Sequence, residues 1–350
     1  MRAIDWSPLD GLDLREPVAR VLDDQPAERV LDRFLRANRH FTAAQRKVCA
    51  EALFGVGLWR RRLAKQNPDD LLHALTHLGP DPRDFADRHS LPDWLAAELQ
   101  RTPDPEALAD ALNQPGPICL RARDDRDALA RALRAAGIEA RPGAHAPRCL
   151  VVTSERPNLL GLDRADFEVQ DEGSQLLGEL VAARPGETVL DLCAGAGGKT
   201  LQLAAAGAKV YASDVDLERL ERLRRRAERA GATNVFVLGR EGLDADAVLV
   251  DAPCSELGAL RRGPDLRWRI DPASFAALPR LQLDLLERGA RHARRRLVYA
   301  TCTFRREEND DVCAAFEAAH PELRRTRDFF RCWPHVEGTD AFFGSVYERV

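Results

Sequence analysis

Two cysteines stand in settings suited to covalent chemistry. Cys254 follows Pro253 and Cys302 follows Thr301, and each dipeptide comes directly after an apolar run that reads as a buried strand. A thiolate adds to an electron-poor carbon and is expelled again once the bond has served its purpose, so two thiols can divide addition from elimination. Both lie downstream of a glycine-rich stretch, Asp191-Leu192-Cys193-Ala194-Gly195-Ala196-Gly197-Gly198-Lys199-Thr200. Glycines at that spacing let a backbone turn sharply out of a strand and approach a ligand, and the helix that follows aims its first amides at an anion. Asp214, about twenty residues on and at the end of the next apolar run, offers a carboxylate to ribose hydroxyls. Phosphate-loop spacing is absent and the dinucleotide pattern is imperfect, which favours S-adenosylmethionine over ATP or NAD.

The elements that must position these groups follow from periodicity. From Asp171 onward, strands are expected at 188–192, 209–213, 235–238, 247–250 and 296–300, and helices from 199 and over 217–230, 278–293 and 307–319. That alternation predicts an α/β fold with a doubly wound, mostly parallel sheet, in which ligands bind at the carboxyl ends of the strands. Asp191, Asp214, Asp251 and Cys302 each stand at such an end, so one crevice should gather them. Upstream, apolar residues recur at helical spacing from Glu16 to about Leu78 (Val30, Leu31, Phe34 and Leu35, for example), which predicts an all-α domain. Prolines 80, 82, 92, 103, 105, 115 and 117 then break the chain into linker with one helix near 92–101, and residues 118–152 read as a small α+β unit. The expected domains are 1–78, 79–170 and 171–350.

Composition sets the class. With 350 residues and 45% apolar content the chain can fill more than one core, and no apolar run reaches membrane-spanning length. Asp5, Asp10 and Asp13 occupy the start of the chain, where a signal peptide would be basic and then apolar, so the cytoplasm is the expected compartment. The 8 cysteines lack the spacing of a disulfide framework or a zinc site, so reduced thiols and no metal are expected. Cys49, Cys119, Cys149, Cys313 and Cys332 read as buried hydrophobes. The net charge of −4 is weakly against a nucleic-acid partner, yet 48 of the 52 basic residues are arginine, the better fork for phosphate. A GC-rich genome gives the same bias. The runs at 222–226 and 291–296 read as solvated helix faces, whereas the segment Arg261-Arg262 with Arg267-Trp268-Arg269 is set apart because it follows a candidate active-site cysteine, and Trp268 is equally suited to stack on a nucleobase or to anchor its loop.

The blocks DLCAGAGGKT (191–200), DAPCSELGALRRGPDLRW (251–268), VYATCTFRREEN (298–309), VQDEGSQLL (169–177) and PHVEGTDAFF (334–343) resemble those of the RNA cytosine-5 methyltransferases, the Sun/Nop2-related family. Residues 30–63 resemble the antitermination-factor-like helical domain, an RNA-binding domain, that precedes the catalytic domain in the bacterial ribosomal RNA members. The resemblance implies a Rossmann-like fold, S-adenosylmethionine as cofactor, and RNA, above all ribosomal RNA or an assembly intermediate, as partner of a monomer. It assigns Cys302 as nucleophile, Cys254 as the cysteine that assists product release, Asp251 to the cytosine edge and the cofactor, and Lys199 to organising the site. Cys193, Ala194, Gly195, Ala196, Gly197, Gly198, Lys199 and Asp214 would hold the cofactor, and Arg261 and Arg262 would lie near RNA. Glu307, Glu308 and Asn309 would shape the turn after the nucleophile.

Three positions depart from the family pattern. Ala196 replaces a loop proline, Glu256 stands where glycine or another small residue is frequent, and Gly239-Arg240-Glu241 lacks the acidic residue expected near the adenine. The alternatives on sequence alone are a transfer RNA methyltransferase, a DNA cytosine-5 methyltransferase in which Cys254 is the nucleophile and Cys302 idle, and a non-catalytic RNA-binding assembly factor.

Overall fold

The computed structural model describes residues 4–67, 70–77, 79–154, 158–239 and 243–350. They fall into two compact units, one of residues 1–115 with 260–272 and the other of 116–259 with 273–350.

The first unit is helical. Its longest helix, Ala43–Gln66, starts at a capping box in which the Thr42 side chain takes the Gln45 amide and the Gln45 side chain takes the Thr42 amide. Cys49, Ala52, Leu53, Val56 and Leu63 recur along its buried side. Residues beyond 79, expected as linker with one helix, also form the helices Phe85–Arg88, Asp93–Gln100 and Pro105–Leu112. Prolines 92 and 105 sit at the helix starts, where a missing N–H costs nothing, and Asp84 and Asp104 accept end amides, so these residues initiate helices instead of breaking them. By contacts, the residues up to 115 cluster with the helical unit.

The second unit holds two sheets. The small one consists of β1 (Ile118–Ala122), β2 (Ala140–Pro142), β3 (Cys149–Val152) and β4 (Phe167–Val169), antiparallel in the order β2-β3-β1-β4. Leu120, Ala122, Leu150, Val152 and Phe167 pack under Leu129 and Leu133 of the helix Arg126–Ala135.

The large sheet has eight strands: β5 (Thr188–Asp191), β6 (Lys209–Ser213), β7 (Val235–Gly239), β8 (Ala245–Asp251), β9 (Ala293–Thr301), β10 (Leu323–Arg325), β11 (Phe330–Cys332) and β12 (Phe342–Arg349). The path is β10-β12-β9-β8-β5-β6-β7, with β11 pairing β12. From β9 to β7 the pairs are parallel, whereas β12 runs antiparallel to β9, β10 and β11. Side chains alternate between faces: Val248, Val250, Leu297 and Tyr299 enter one core, and Ala247, Leu249, Val298 and Ala300 the other. Burial on both faces explains why these strands read as unbroken apolar runs. Among the described residues no helix is long and apolar enough to cross a membrane.

Candidate active site

The glycine-rich turn leaves β5 after Asp191 and enters the helix Gly198–Ala205. Gly195 and Gly197 take φ of +53° and +89°, the left-handed region that L side chains avoid. A Cβ on Gly197 would also stand 2.7 Å from Leu223. Ala196 lies between them, so the bend forms here without a proline. Ala194 is buried and its amide donates to the Ser213 carbonyl at 3.0 Å, tying the loop to β6.

At the end of β6, Asp214 accepts the Gly195 amide at 2.8 Å through one oxygen and the Asp216 amide at 2.8 Å through the other. Its carboxylate is thereby fixed at the loop with lone pairs remaining for a ligand. Asp191 is more telling. It is 1% exposed; one oxygen accepts from the Thr200 hydroxyl at 2.7 Å, and among the described residues nothing reaches the other. Burial pushes this carboxyl up to about 7. A buried acceptor left open beside a glycine cradle fits a cofactor with a cationic group and a ribose. Sequence reasoning put Asp191 in the crevice but not among the binding residues. Cys193, half-buried in the loop, has its thiol pushed up by burial first and by Asp191 second, which suits packing and not reaction.

Asp251 ends β8 and receives the Lys199 ammonium at 2.7 Å. Burial works against the Lys199 charge, but the Asp251 carboxylate outweighs it and the amine lies above its ordinary value. Three residues beyond Asp251, the Cys254 sulfur lies 3.4 Å from that of Cys302, just past the end of β9. Both are free thiols. Hydrogen bonding with Cys254, then burial, then the Asp251 and Glu256 carboxylates hold the Cys302 thiol well above the usual range.

Side chains distant in sequence hold the two cysteine loops together. Glu308, fully buried, accepts the Ser255 amide and the Gln282 side chain, both at 2.9 Å, through one oxygen, and Gln282 also donates to the Pro253 carbonyl at 3.0 Å. Asn309 accepts from the Thr301 hydroxyl at 2.6 Å and donates to the Thr303 carbonyl at 2.9 Å. Gly258 donates to the Cys302 carbonyl and accepts from the Ala341 amide, each at 3.0 Å. A Cβ there would stand 2.2 Å from the Ala341 oxygen, so only glycine fits. Sequence reasoning gave Glu308 and Asn309 a turn-shaping role and passed over Gln282 and Gly258. Glu256 takes φ of +57°, a left-handed backbone that glycine adopts without strain and an L side chain does not.

The basic residues after Cys254 belong to the other compact unit. Arg261 and Arg262 lie in the 260–272 segment of the helical unit, Arg261 buried and Arg262 exposed. Arg267, set apart in the sequence with its neighbours for following Cys254, is fully buried and donates to Asn113 Oδ1 at 2.7 Å, so no phosphate reaches it. Trp268 donates to the Gly57 carbonyl at 2.8 Å under the Arg60 guanidinium, the loop-anchoring alternative. Arg296, read as part of a solvated face, is buried against the Val181 carbonyl and Glu187. Glu241, the substitute considered for the adenine-side acid, lies outside the described residues.

A mostly parallel sheet with a glycine cradle at its switch point, an acid at the end of the second strand and an open buried carboxylate gives the Rossmann-like fold of the S-adenosylmethionine-dependent methyltransferases. Residues 179–347 match the family described as 16S rRNA methyltransferase RsmB/F, and residues 91–158 match the ferredoxin-like domain of RsmF/B-like methyltransferases. The chain therefore carries the methyltransferase and ferredoxin-like domains of the RsmB/F family. It is 36% identical over 283 residues to the ribosomal RNA small subunit methyltransferase B of Sodalis glossinidius, and 35% over 256 residues to that of Thermus thermophilus. Those matches take in 73% and 71% of this chain but only 65% and 60% of the relatives' lengths. Among solved structures, PH0851 superposes with a TM-score of 0.80 at 22% identity over 99% of this chain and 100% of that one. NSun6 from Pyrococcus horikoshii with SFG gives 0.67 at 17% identity over 75% and 99%. Both share the fold.

Proposed function

We propose that this protein methylates carbon 5 of a cytosine in RNA, with small-subunit ribosomal RNA as substrate, through a covalent bond between Cys302 and carbon 6. The observation that carries this is the pair of thiols 3.4 Å apart, one on each loop, beside the Lys199–Asp251 ion pair. A single nucleophile needs no second thiol at that distance. A stepwise addition and elimination has work for both.

The target base leaves its stack to enter the crevice. Asp251, held by Lys199, meets the polar edge of the cytosine, and Cys302 gives up its proton as its sulfur bonds to carbon 6. That bond moves electron density to carbon 5. S-adenosylmethionine supplies a sulfonium-bound methyl group, for which Asp191, the Cys193–Lys199 loop and Asp214 form the cradle. Once carbon 5 carries the methyl, its proton must leave; the C5=C6 bond then reforms, the S–C6 bond breaks and Cys302 departs as thiolate. Cys254 assists this elimination. Positioning supplies most of the acceleration, since the methyl donor loses its charge in the transfer.

Incubating the protein with S-adenosylmethionine and unmethylated small-subunit RNA, then digesting to nucleosides for mass spectrometry, tests the reading. 5-Methylcytosine is the expected product; a methyl on another atom, or methylation of transfer RNA alone, overturns it.

A further inference from the structure

The helix Leu217–Arg229 carries an arginine whose role exceeds that of a solvated face. Arg226 reaches in two directions: Nη1 donates to the Ala196 carbonyl in the glycine loop and Nη2 to Glu168 of the small sheet, each at 2.6 Å. Glu168 is buried on β4 opposite Arg121 of β1, and Arg229 approaches its second oxygen at 3.7 Å. A second path runs beside the first. Buried Arg121 donates to Gln170 at 2.7 Å, and Gln170 donates at 3.0 Å to Gln202, which sits on the helix that the glycine loop feeds.

We propose that Glu168 and Arg226 form a positioning pair through which the small sheet sets the cofactor loop. Ala196 lies between two left-handed glycines, and a planar guanidinium fixed by a buried carboxylate can stiffen that loop from outside by holding its carbonyl. Glu168 orients Arg226, and Arg226 orients the loop. The pair rests on the loop being the cofactor cradle, which titration of the unaltered protein with S-adenosylmethionine tests by itself.

The experiment uses the full chain with Glu168→Gln, Arg226→Lys, Arg226→Met and the double variant Glu168→Gln with Arg226→Met. S-adenosylmethionine affinity is read by calorimetry, single-turnover methylation at saturating cofactor by nucleoside analysis, and unfolding by circular dichroism. Arg226→Met should weaken cofactor binding about tenfold, with the saturated rate unchanged within about twofold. Arg226→Lys, which keeps the charge without the fork, should recover only part of the loss, and the double variant should bind no worse than Arg226→Met. Cofactor affinity within twofold of the parent in Arg226→Met, or full additivity in the double variant, overturns the proposal. If Arg226→Met does not fold, Glu168→Gln and Arg226→Lys decide by the same split: weakened binding at a saturated rate supports it, and unchanged binding with lowered melting temperature rejects it.

Discussion

Cys254 and Cys302 come from loops 48 residues apart in sequence, yet their sulfurs lie 3.4 Å apart. Their division of labour is directly testable. Cys302→Ala should abolish methylation and any covalent adduct while leaving cofactor binding intact. Cys254→Ala should accumulate a protein–RNA adduct that needs S-adenosylmethionine, survives a denaturing gel and vanishes in the double variant. An adduct from Cys302→Ala instead would exchange the two roles.

The resting state of Cys302 predicts a pH profile. Because Cys254, burial and two carboxylates hold its thiol well above the usual range, little thiolate exists at neutral pH. Single-turnover methylation should therefore rise about tenfold per pH unit from 7 to 9. A flat profile over that interval would mean that the proton is lost before the base arrives.

Glu256 offers a substitution that should improve the protein. Its left-handed backbone costs roughly 1–2 kcal/mol for an L residue, against about 0.5–1 kcal/mol of extra chain entropy for glycine. Glu256→Gly should raise stability by about 0.5–1 kcal/mol in chemical denaturation. Removing a carboxylate that raises Cys302 should also shift the rate profile to lower pH. A destabilised variant would refute the strain.

Asp191 links stability to pH. Burial raises its carboxyl from 3.8 to about 7. Between these values the folded chain holds a proton that the unfolded chain has released, so its contribution is full below about pH 4 and is lost as pH rises toward 7. Without cofactor, Asp191→Asn should gain on the parent across this window by up to about 1.4 kcal/mol per pH unit. A constant difference in unfolding free energy from pH 4 to 7 would show that Asp191 ionises normally.

Asp191, Asp214, Asp251 and Cys302 were legible because each closes a short apolar run, and a parallel sheet brings such ends together. What lay beyond reach was set by partners remote in sequence. Arg267 follows Cys254 closely, but its guanidinium is spent on Asn113, 154 residues away. Proximity along the chain set it apart from the solvated runs; burial assigned it to packing. The antiparallel β12 escaped because its register against β9 depends on the finished sheet, not on any local pattern. Glu308 carries no mark in sequence of the two groups it joins, since Ser255 and Gln282 meet it only after folding.

Gly258 bonds on one side to Cys302 and on the other to Ala341, and β12, starting at Phe342, pairs with the strand that presents Cys302. The ribosome makes Ala341 and β12 after both thiols and the whole cofactor cradle. A nascent chain can fold its earlier parts as they emerge, but the fastening through Gly258 and Ala341 is completed only when this late segment leaves the exit tunnel. Completion of this part of the sheet is thereby tied to the progress of translation, so a chain stalled before residue 341 carries both thiols without the contact that Gly258 makes to Ala341.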